Sequence, residues 1–247
     1  MWWWRDQLTG PGGRTIDVGF TDTDGGVSAV GPIASLNLGG KVGDDPSNVA
    51  RNRAAVAAAV DVAPDDLVFM HQTHSDRVLS LEDGNRDLDG DGIVTASSGV
   101  ALAVLVADCT PVLLTDPAAG VIGAVHAGRP GMMARIVDRA LDRMSEQGAT
   151  NPVAIIGPSV CGRCYEVPLE MREEAAGVTP ESRAVSWTGT PAIDVASGVV
   201  AQLHARGVDT TWVPGCTRES DRLFSYRRDH RSGRFAGVIV QRTSPHV

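Results

Sequence analysis

The chain of 247 residues carries 22 basic and 30 acidic residues, a formal net charge of −8, with 43% hydrophobic and 21% charged residues. The apolar content suffices for a sizeable core. The acidic balance lacks the cationic surface by which a sequence-independent nucleic-acid binder displaces counterions, and no apolar run reaches the ~20 residues of a membrane helix.

The N-terminus, Met1-Trp2-Trp3-Trp4-Arg5-Asp6, is too short and too aromatic for a signal peptide. A cytoplasmic protein is expected, its tryptophans covering a sheet edge or contacting another subunit. Residues 14–23 read as a strand, followed by a Gly25-Gly26 turn. Asp44-Asp45-Pro46-Ser47 starts a helix with Ser47 as N-cap, and the alanine-rich residues 48–60 continue it. Residues 68–70 and 78–81 read as short strands flanking a loop with His71 and His74. Residues 100–106 form an apolar strand ending in Ala107-Asp108-Cys109. Residues 111–115 and 121–125 are two further strands around the turn Asp116-Pro117-Ala118-Ala119-Gly120, the second leading into His126-Ala127-Gly128. Pro130 sits where a first helical residue belongs, and residues 132–144 have helical spacing. Val153–Ile156 is a strand, residues 169–176 and Val195–Ala205 are helices, and residues 210–213 and 238–240 are strands. Strands and helices mix throughout, some joined as hairpins, which predicts an α/β (α+β) fold with mixed sheets.

If the turn at 116–120 centres an antiparallel hairpin, His126 lies opposite roughly Pro111. Residue 109 shares a face with 111, because side chains alternate with period two. Cys109 and His126 are then diagonal neighbours able to share a metal. His71 and His74 are both candidates for a third ligand. Imidazole and thiolate suit zinc, and three protein ligands leave a fourth position open. Two histidines and a cysteine also describe a copper site. The plain alternative is a hydrogen-bonded histidine and a small buried cysteine.

Other motifs carry less. Asp87-Leu88-Asp89-Gly90-Asp91-Gly92 opens like a calcium loop but has Ser98 at its twelfth position, so a solvated turn is expected. Cys161-Gly162-Arg163-Cys164 has no second CxxC partner, which argues against a four-ligand zinc site, and Cys216 reads as structural. The basic run Tyr226-Arg227-Arg228-Asp229-His230-Arg231 is expected as a solvated loop or as an arginine, Arg227, at a pocket. Six histidines include no His-Xaa-His pair, and His204, His230 and His246 lie in polar or terminal settings.

Gly25-Gly26-Val27-Ser28, Ser35-Leu36-Asn37-Leu38-Gly39, Gln72-Thr73-His74, Ala107-Asp108-Cys109-Thr110-Pro111-Val112-Leu113-Leu114 and His126-Ala127-Gly128 occur in this order. Ile156-Gly157-Pro158, Tyr165-Glu166-Val167, Cys216-Thr217 and Phe224-Ser225-Tyr226-Arg227-Arg228 follow. In these stretches the chain resembles the laccase-domain family, also called multicopper polyphenol oxidase or YfiH-like. The resemblance spans nearly the whole chain and implies a single layered α/β/β/α domain over residues 1–247. It implies a His-Cys-His ligand set whose first histidine follows Gln-Xaa, which selects His74 over His71 beside Cys109 and His126. It implies a zinc enzyme, with copper as the rival metal, that phosphorolyses adenosine, inosine and methylthioadenosine and deaminates adenosine. Its partners would be purine nucleosides and phosphate, with no nucleic acid and no membrane. Copper-dependent polyphenol oxidation and peptidoglycan editing are also attached to the family.

The family often reads His-Ala-Gly-Trp-Arg-Gly where this chain has His126-Ala127-Gly128-Arg129-Pro130-Gly131. Arg129 then stands in for the displaced arginine. With Arg53 and the helix N-terminus after Gly128 it would hold phosphate. Asn37 becomes a pocket polar group, and His71 a pocket-lining or strand residue. The zinc deaminase precedent uses a His-Xaa-Glu motif, absent here. Asp108, beside Cys109, is therefore the expected proton carrier, or else a group orienting a ligand histidine.

Overall fold

In the computed structural model, which describes residues 1–29, 31–81 and 88–243, apolar runs bounded by turn residues become strands. These are β1 (Trp2–Thr9), β2 (Thr15–Thr21), β3 (Leu67–Phe69), β4 (Val78–Ser80), β5 (Gly92–Thr95), β6 (Ala101–Val106), β7 (Thr110–Asp116), β8 (Val121–Ala127), β9 (Val153–Ile156), β10 (Arg183–Val185), β11 (Pro191–Ile193), β12 (Asp209–Trp212) and β13 (Phe235–Arg242). The helices are α1 (Pro46–Ala59), α2 (Arg129–Met133), α3 (Ile136–Glu146), α4 (Leu169–Val178), α5 (Val195–Ala205) and α6 (Tyr226–Asp229). No helix among the described residues is long and apolar enough to cross a membrane.

Two mixed sheets result, as the pattern of elements predicts, with β10 and β11 paired apart from them as an antiparallel ribbon. One runs β1-β2-β13-β6-β3, antiparallel except for β3 with β6. The other runs β12-β9-β7-β8-β5-β4, with parallel pairs at β12/β9 and β4/β5. Alternation along the strands sets the layers. Leu113 on β7 packs with Phe20, Leu102 and Phe235 between the sheets, while Val112 and Leu114 pack with α3 residues Ile136 and Ala140 and α5 residues Val199 and Leu203. On the far side, Val56 and Ala57 of α1 cover Ala101, Ala103, Val238 and Val240. The order is helix, sheet, sheet, helix. The short link from β6 to β7 carries the chain from one sheet to the other, and Cys109 lies in it.

Three local expectations are corrected. The cap of α1 is Asp45, whose carboxylate accepts the Ser47 N–H at 2.8 Å, not Ser47; Pro46, which has no N–H to satisfy, takes the first helical position. The helix expected over 132–144 breaks at Arg135 (φ 58°) into α2 and α3. Gln202 of α5 supports the break by donating to the Met132 carbonyl at 2.8 Å. The tryptophans form part of an edge strand, β1, which the polar Arg5-Asp6-Gln7 had obscured; Trp3 and Trp4 pack on the inter-sheet core.

The β7–β8 hairpin keeps the expected register, with Pro111 opposite His126. Its turn is held by Asp116, whose carboxylate accepts the N–H groups of Ala118 (3.0 Å), Ala119 (2.9 Å), Thr150 (2.7 Å) and Asn151 (2.8 Å). Burial would raise its pKa, but these four donors overcome that and lower it. Asp116→Ala should therefore destabilise the protein by about 2–3 kcal/mol in chemical denaturation at neutral pH. A depressed carboxylate stabilises above its unfolded pKa of ~4, so the difference between wild type and variant should shrink as pH falls through the lower folded value.

Candidate metal centre

Asp91 stands just ahead of β5 and is fully buried. Its carboxylate gathers the loop after β3, accepting from Thr73 N (3.1 Å), His74 N (3.0 Å), Ser75 N (2.7 Å) and Ser75 Oγ (2.7 Å). Three successive N–H groups wrapped on one carboxylate require a tight bend, and His74 takes a left-handed conformation (φ 62°) within it. The same carboxylate accepts from His126 Nδ1 at 2.8 Å, which leaves His126 Nε2 free for other partners. His126 is 3% exposed, near the end of β8.

Cys109 arrives from the inter-sheet link. Asp108 has φ 89°, a bend that separates the two neighbouring side chains. The Asp108 carboxylate turns to the opposite wall, where it accepts from Thr217 Oγ1, Ser225 Oγ and Arg227 N, each at 2.7 Å. Cys109 Sγ lies 3.6 Å from His74 Nε2. The two imidazoles meet edge-on with centroids 4.7 Å apart, and the donor atoms of His74, Cys109 and His126 all lie within 4.8 Å of one another. Gly128 makes this approach possible: a Cβ there would sit 2.8 Å from the His74 ring and 3.2 Å from the thiol.

Charge is organised to match. Burial would raise the Cys109 pKa, but the adjoining His126 and His74 bring it down to about 6. Burial would lower that of His126, but Cys109 and Asp91 raise it to about 9. Burial is likewise outweighed at Asp91 by its His126 and Ser75 hydrogen bonds, which hold its carboxyl well below the usual range. Both shifts favour a thiolate–imidazolium pair, backed by a carboxylate, in the metal-free protein. Two imidazoles and a thiolate in this setting fit zinc, which bonds such donors at ~2.0–2.3 Å.

The trio opens on a cavity of about 1200 Å³. Its described lining includes five basic side chains (Lys41, Arg53, Arg129, Arg227 and Arg234) against two acidic ones, Asp65 and Asp108, an arrangement that attracts anions. Arg53 stacks 4.0 Å over Phe69 while its Nε donates to Leu38 O. Arg227 lies 4.5 Å over the Tyr165 ring and donates to Glu166 O. Arg129 begins α2, with Glu174 at 3.9 Å. That helix has only five residues, so the arginines rather than a helix dipole supply most of the positive field. His71 both lines the cavity and bridges to Asp89. Asn37 is buried behind the wall, where it accepts from Gly39 N and Arg234 N.

Several of these residues escaped the sequence. Asp91 lay in what reads as a solvated turn; its one signal is an acidic residue directly ahead of a short apolar strand. Asp91 takes the histidine-orienting role considered for Asp108, whose carboxylate instead fixes the 217–227 segment. Asp89 pairs with His71, while Asp91 is buried on the loop at 73–75; Asp87 lies outside the described residues. Tyr165, Tyr226, Phe69, Gln72 and Arg234 line the cavity without any metal-like motif to mark them. Of the basic run, Arg228 is spent on the Thr217, Ser220 and Leu223 carbonyls and Arg231 on those of Val42 and Gly43. His204 bonds Thr210 and His230 packs on Tyr226; His246 lies outside the described residues.

Residues 17–242 match a family model described as multi-copper polyphenol oxidoreductase laccase. A purine nucleoside phosphorylase of Streptomyces coelicolor is 53% identical over 95% of this chain and 97% of its own length. An adenosine deaminase from an unknown prokaryotic organism is 35% identical over 89% and 92%. Among solved structures, YlmD of Geobacillus stearothermophilus superposes with a TM-score of 0.84 at 29% identity, covering 92% of each chain. YfiH of Bacillus licheniformis superposes at 0.83 and 28%, covering 91% and 92%.

Two outcomes follow for metal binding. Asp91→Asn should weaken zinc affinity by about 10–100-fold in competition with a chromophoric chelator, because the His126 ring loses its orienting carboxylate and the His74 loop its anchor. Zinc titration calorimetry at pH 7.5, repeated in buffers of different ionisation enthalpy, should show roughly one proton released from the Cys109–His126 pair. The raised imidazole and the lowered thiol share one proton between them, and a metal ion bound to both displaces it.

Proposed function

The chain belongs to the multi-copper polyphenol oxidoreductase laccase family, and on that premise we propose that it is a zinc enzyme of purine nucleosides. It cleaves adenosine, inosine and methylthioadenosine with phosphate, and it deaminates adenosine. The observation that carries this reading is the convergence of a His-Cys-His donor set with a surplus of cationic side chains in one cavity. The relatives' names supply the substrate class. Small-molecule pockets commonly span ~300–1,000 Å³, so this cavity accommodates a nucleoside and a phosphate together.

His74, Cys109 and His126 would hold the zinc, which would supply Lewis acidity at the edge of the cavity. Phosphorolysis forms a bond from a phosphate oxygen to C1′ as the bond from C1′ to N9 breaks, and the proton of the hydrogen phosphate passes to the departing purine. Arg129, Arg227 and Arg234 bind and orient phosphate by charge-assisted hydrogen bonds. Tyr165 and Phe69, each already under an arginine, offer flat faces to the base. Asp108 has both oxygens engaged, so it positions Arg227 rather than carrying a proton. The whole chain acts as one domain, in the cytoplasm, where its cysteines stay reduced.

Copper would suit the same three donors. Among the described residues the other donor group is three cysteines with a glutamate, which does not resemble the histidine-rich sites of four-copper oxidases.

Purified protein with adenosine and phosphate should yield adenine and ribose 1-phosphate, and without phosphate only inosine and ammonia. Chelation should abolish both activities and zinc restore them. Absence of nucleoside turnover with either zinc or copper bound would remove the proposal. Arg227→Ala should raise the KM for phosphate about 10–100-fold, corresponding to a lost charge-assisted bond of ~1.5–3 kcal/mol.

A further inference from the structure

The CxxC at Cys161–Cys164 has no partner CxxC in the sequence, but the fold supplies a second half of the same spacing. Cys216-Thr217-Arg218-Glu219 lies against it, registered by the parallel bridge of Ser159 with Cys216 and by Thr217 N donating to Ser159 O at 3.1 Å. Both segments are tight turns in which the fourth residue's N–H donates to the first residue's carbonyl. Cys164 N reaches Cys161 O at 2.9 Å, and Glu219 N reaches Cys216 O at 3.2 Å. Each turn thereby presents two potential ligands on one side. The donor atoms of Cys161, Cys164, Cys216 and Glu219 all lie within 4.8 Å of one another. Cys164 is buried, its thiol 3.1 Å from Glu219 Oε1.

We propose that Cys161, Cys164, Cys216 and Glu219 form a second, closed zinc site, distinct from the cavity site and independent of the nucleoside reading. Bonds of ~2.3 Å to tetrahedral zinc place thiolate ligands ~3.8 Å apart, so the cluster closes on the ion by small side-chain rotations. Three thiolates and a carboxylate satisfy four-coordination with no open position, the mark of a structural site. Glu219 Oε1 also accepts the Trp187 Nε1–H at 3.0 Å, which holds the carboxylate beside the three thiols.

The position gives the site a task. Tyr165, which lines the cavity, follows Cys164 directly. Thr217, between two of the ligands, donates to Asp108, and Asp108 accepts the Arg227 N–H. Zinc here ties the loop after β9 to residues 216–219 and thereby fixes the wall that presents Tyr165 and Arg227.

The test uses full-length protein purified under reducing conditions and loaded with zinc, then freed of excess ion. Wild type should hold about two zinc per chain, the double variant Cys109→Ser/His126→Ala about one, and Cys161→Ser/Cys216→Ser about one. Cobalt in the Cys109→Ser/His126→Ala protein should show intense thiolate-to-metal charge transfer. Should the Cys161→Ser/Cys216→Ser protein fail to fold, wild type alone decides the matter by alkylation with mass-spectrometric readout. Zinc should slow iodoacetamide modification of Cys161 and Cys216 by about tenfold or more, and a chelator should reverse this. Three results would overturn the site: no zinc in the Cys109→Ser/His126→Ala protein, alkylation indifferent to zinc, or a disulfide among these cysteines. None depends on nucleoside turnover.

Discussion

The site depends on one buried carboxylate. Asp91 has no solvent exposure, and an ionised carboxyl in that position costs several kcal/mol unless donors replace the lost water. Three backbone N–H groups, the hydroxyls of Thr73 and Ser75 and one imidazole do so. Because the donors come from two segments, the loop of His74 and the end of β8, satisfying this one charge sets the positions of two histidines at once. The third donor needs a different device: the positive φ at Asp108 turns Cys109 inward as the chain passes between sheets. Gly128 then leaves the space into which ring and sulfur close.

The layered fold brings these pieces to one place. Cys109 lies in the β6–β7 link, His126 near the end of β8 and His74 after β3, so strands of both sheets deliver donors to one cavity. The opposite wall is tied to this arrangement through Asp108. Its carboxylate, facing away from Cys109, holds Thr217, Ser225 and Arg227. Adjacent residues on one strand link thus serve the two sides of the cavity, one as donor and the other as anchor.

Much of this is legible in the sequence where a local rule governs. The turn at 116–120 and period-two alternation are enough to place His126 opposite Pro111, and the mixture of hairpins and helices predicts mixed sheets. What the sequence hides is set by contacts distant along the chain. Asp91 acts on residues 16 to 35 positions away, and its surroundings read as a solvated turn. Glu219 gains meaning only when the bridge between Ser159 and Cys216 brings it to the CxxC. The break at Arg135 interrupts a helical spacing that is otherwise continuous. The triple tryptophan strand lacks alternation, and its pairing with β2 overrides its composition.

One carboxylate holds two imidazoles against a thiolate, and these are the three donors that we propose share a single ion. Anomalous diffraction at the zinc edge, on crystals of the zinc-loaded protein, tests this most directly. The expected result is a peak ~2.0–2.3 Å from nitrogen atoms of His74 and His126 and from Cys109 Sγ, with His126 Nδ1 still on Asp91. A cavity zinc bound away from this trio, or a His126 ring turned off Asp91, would contradict it.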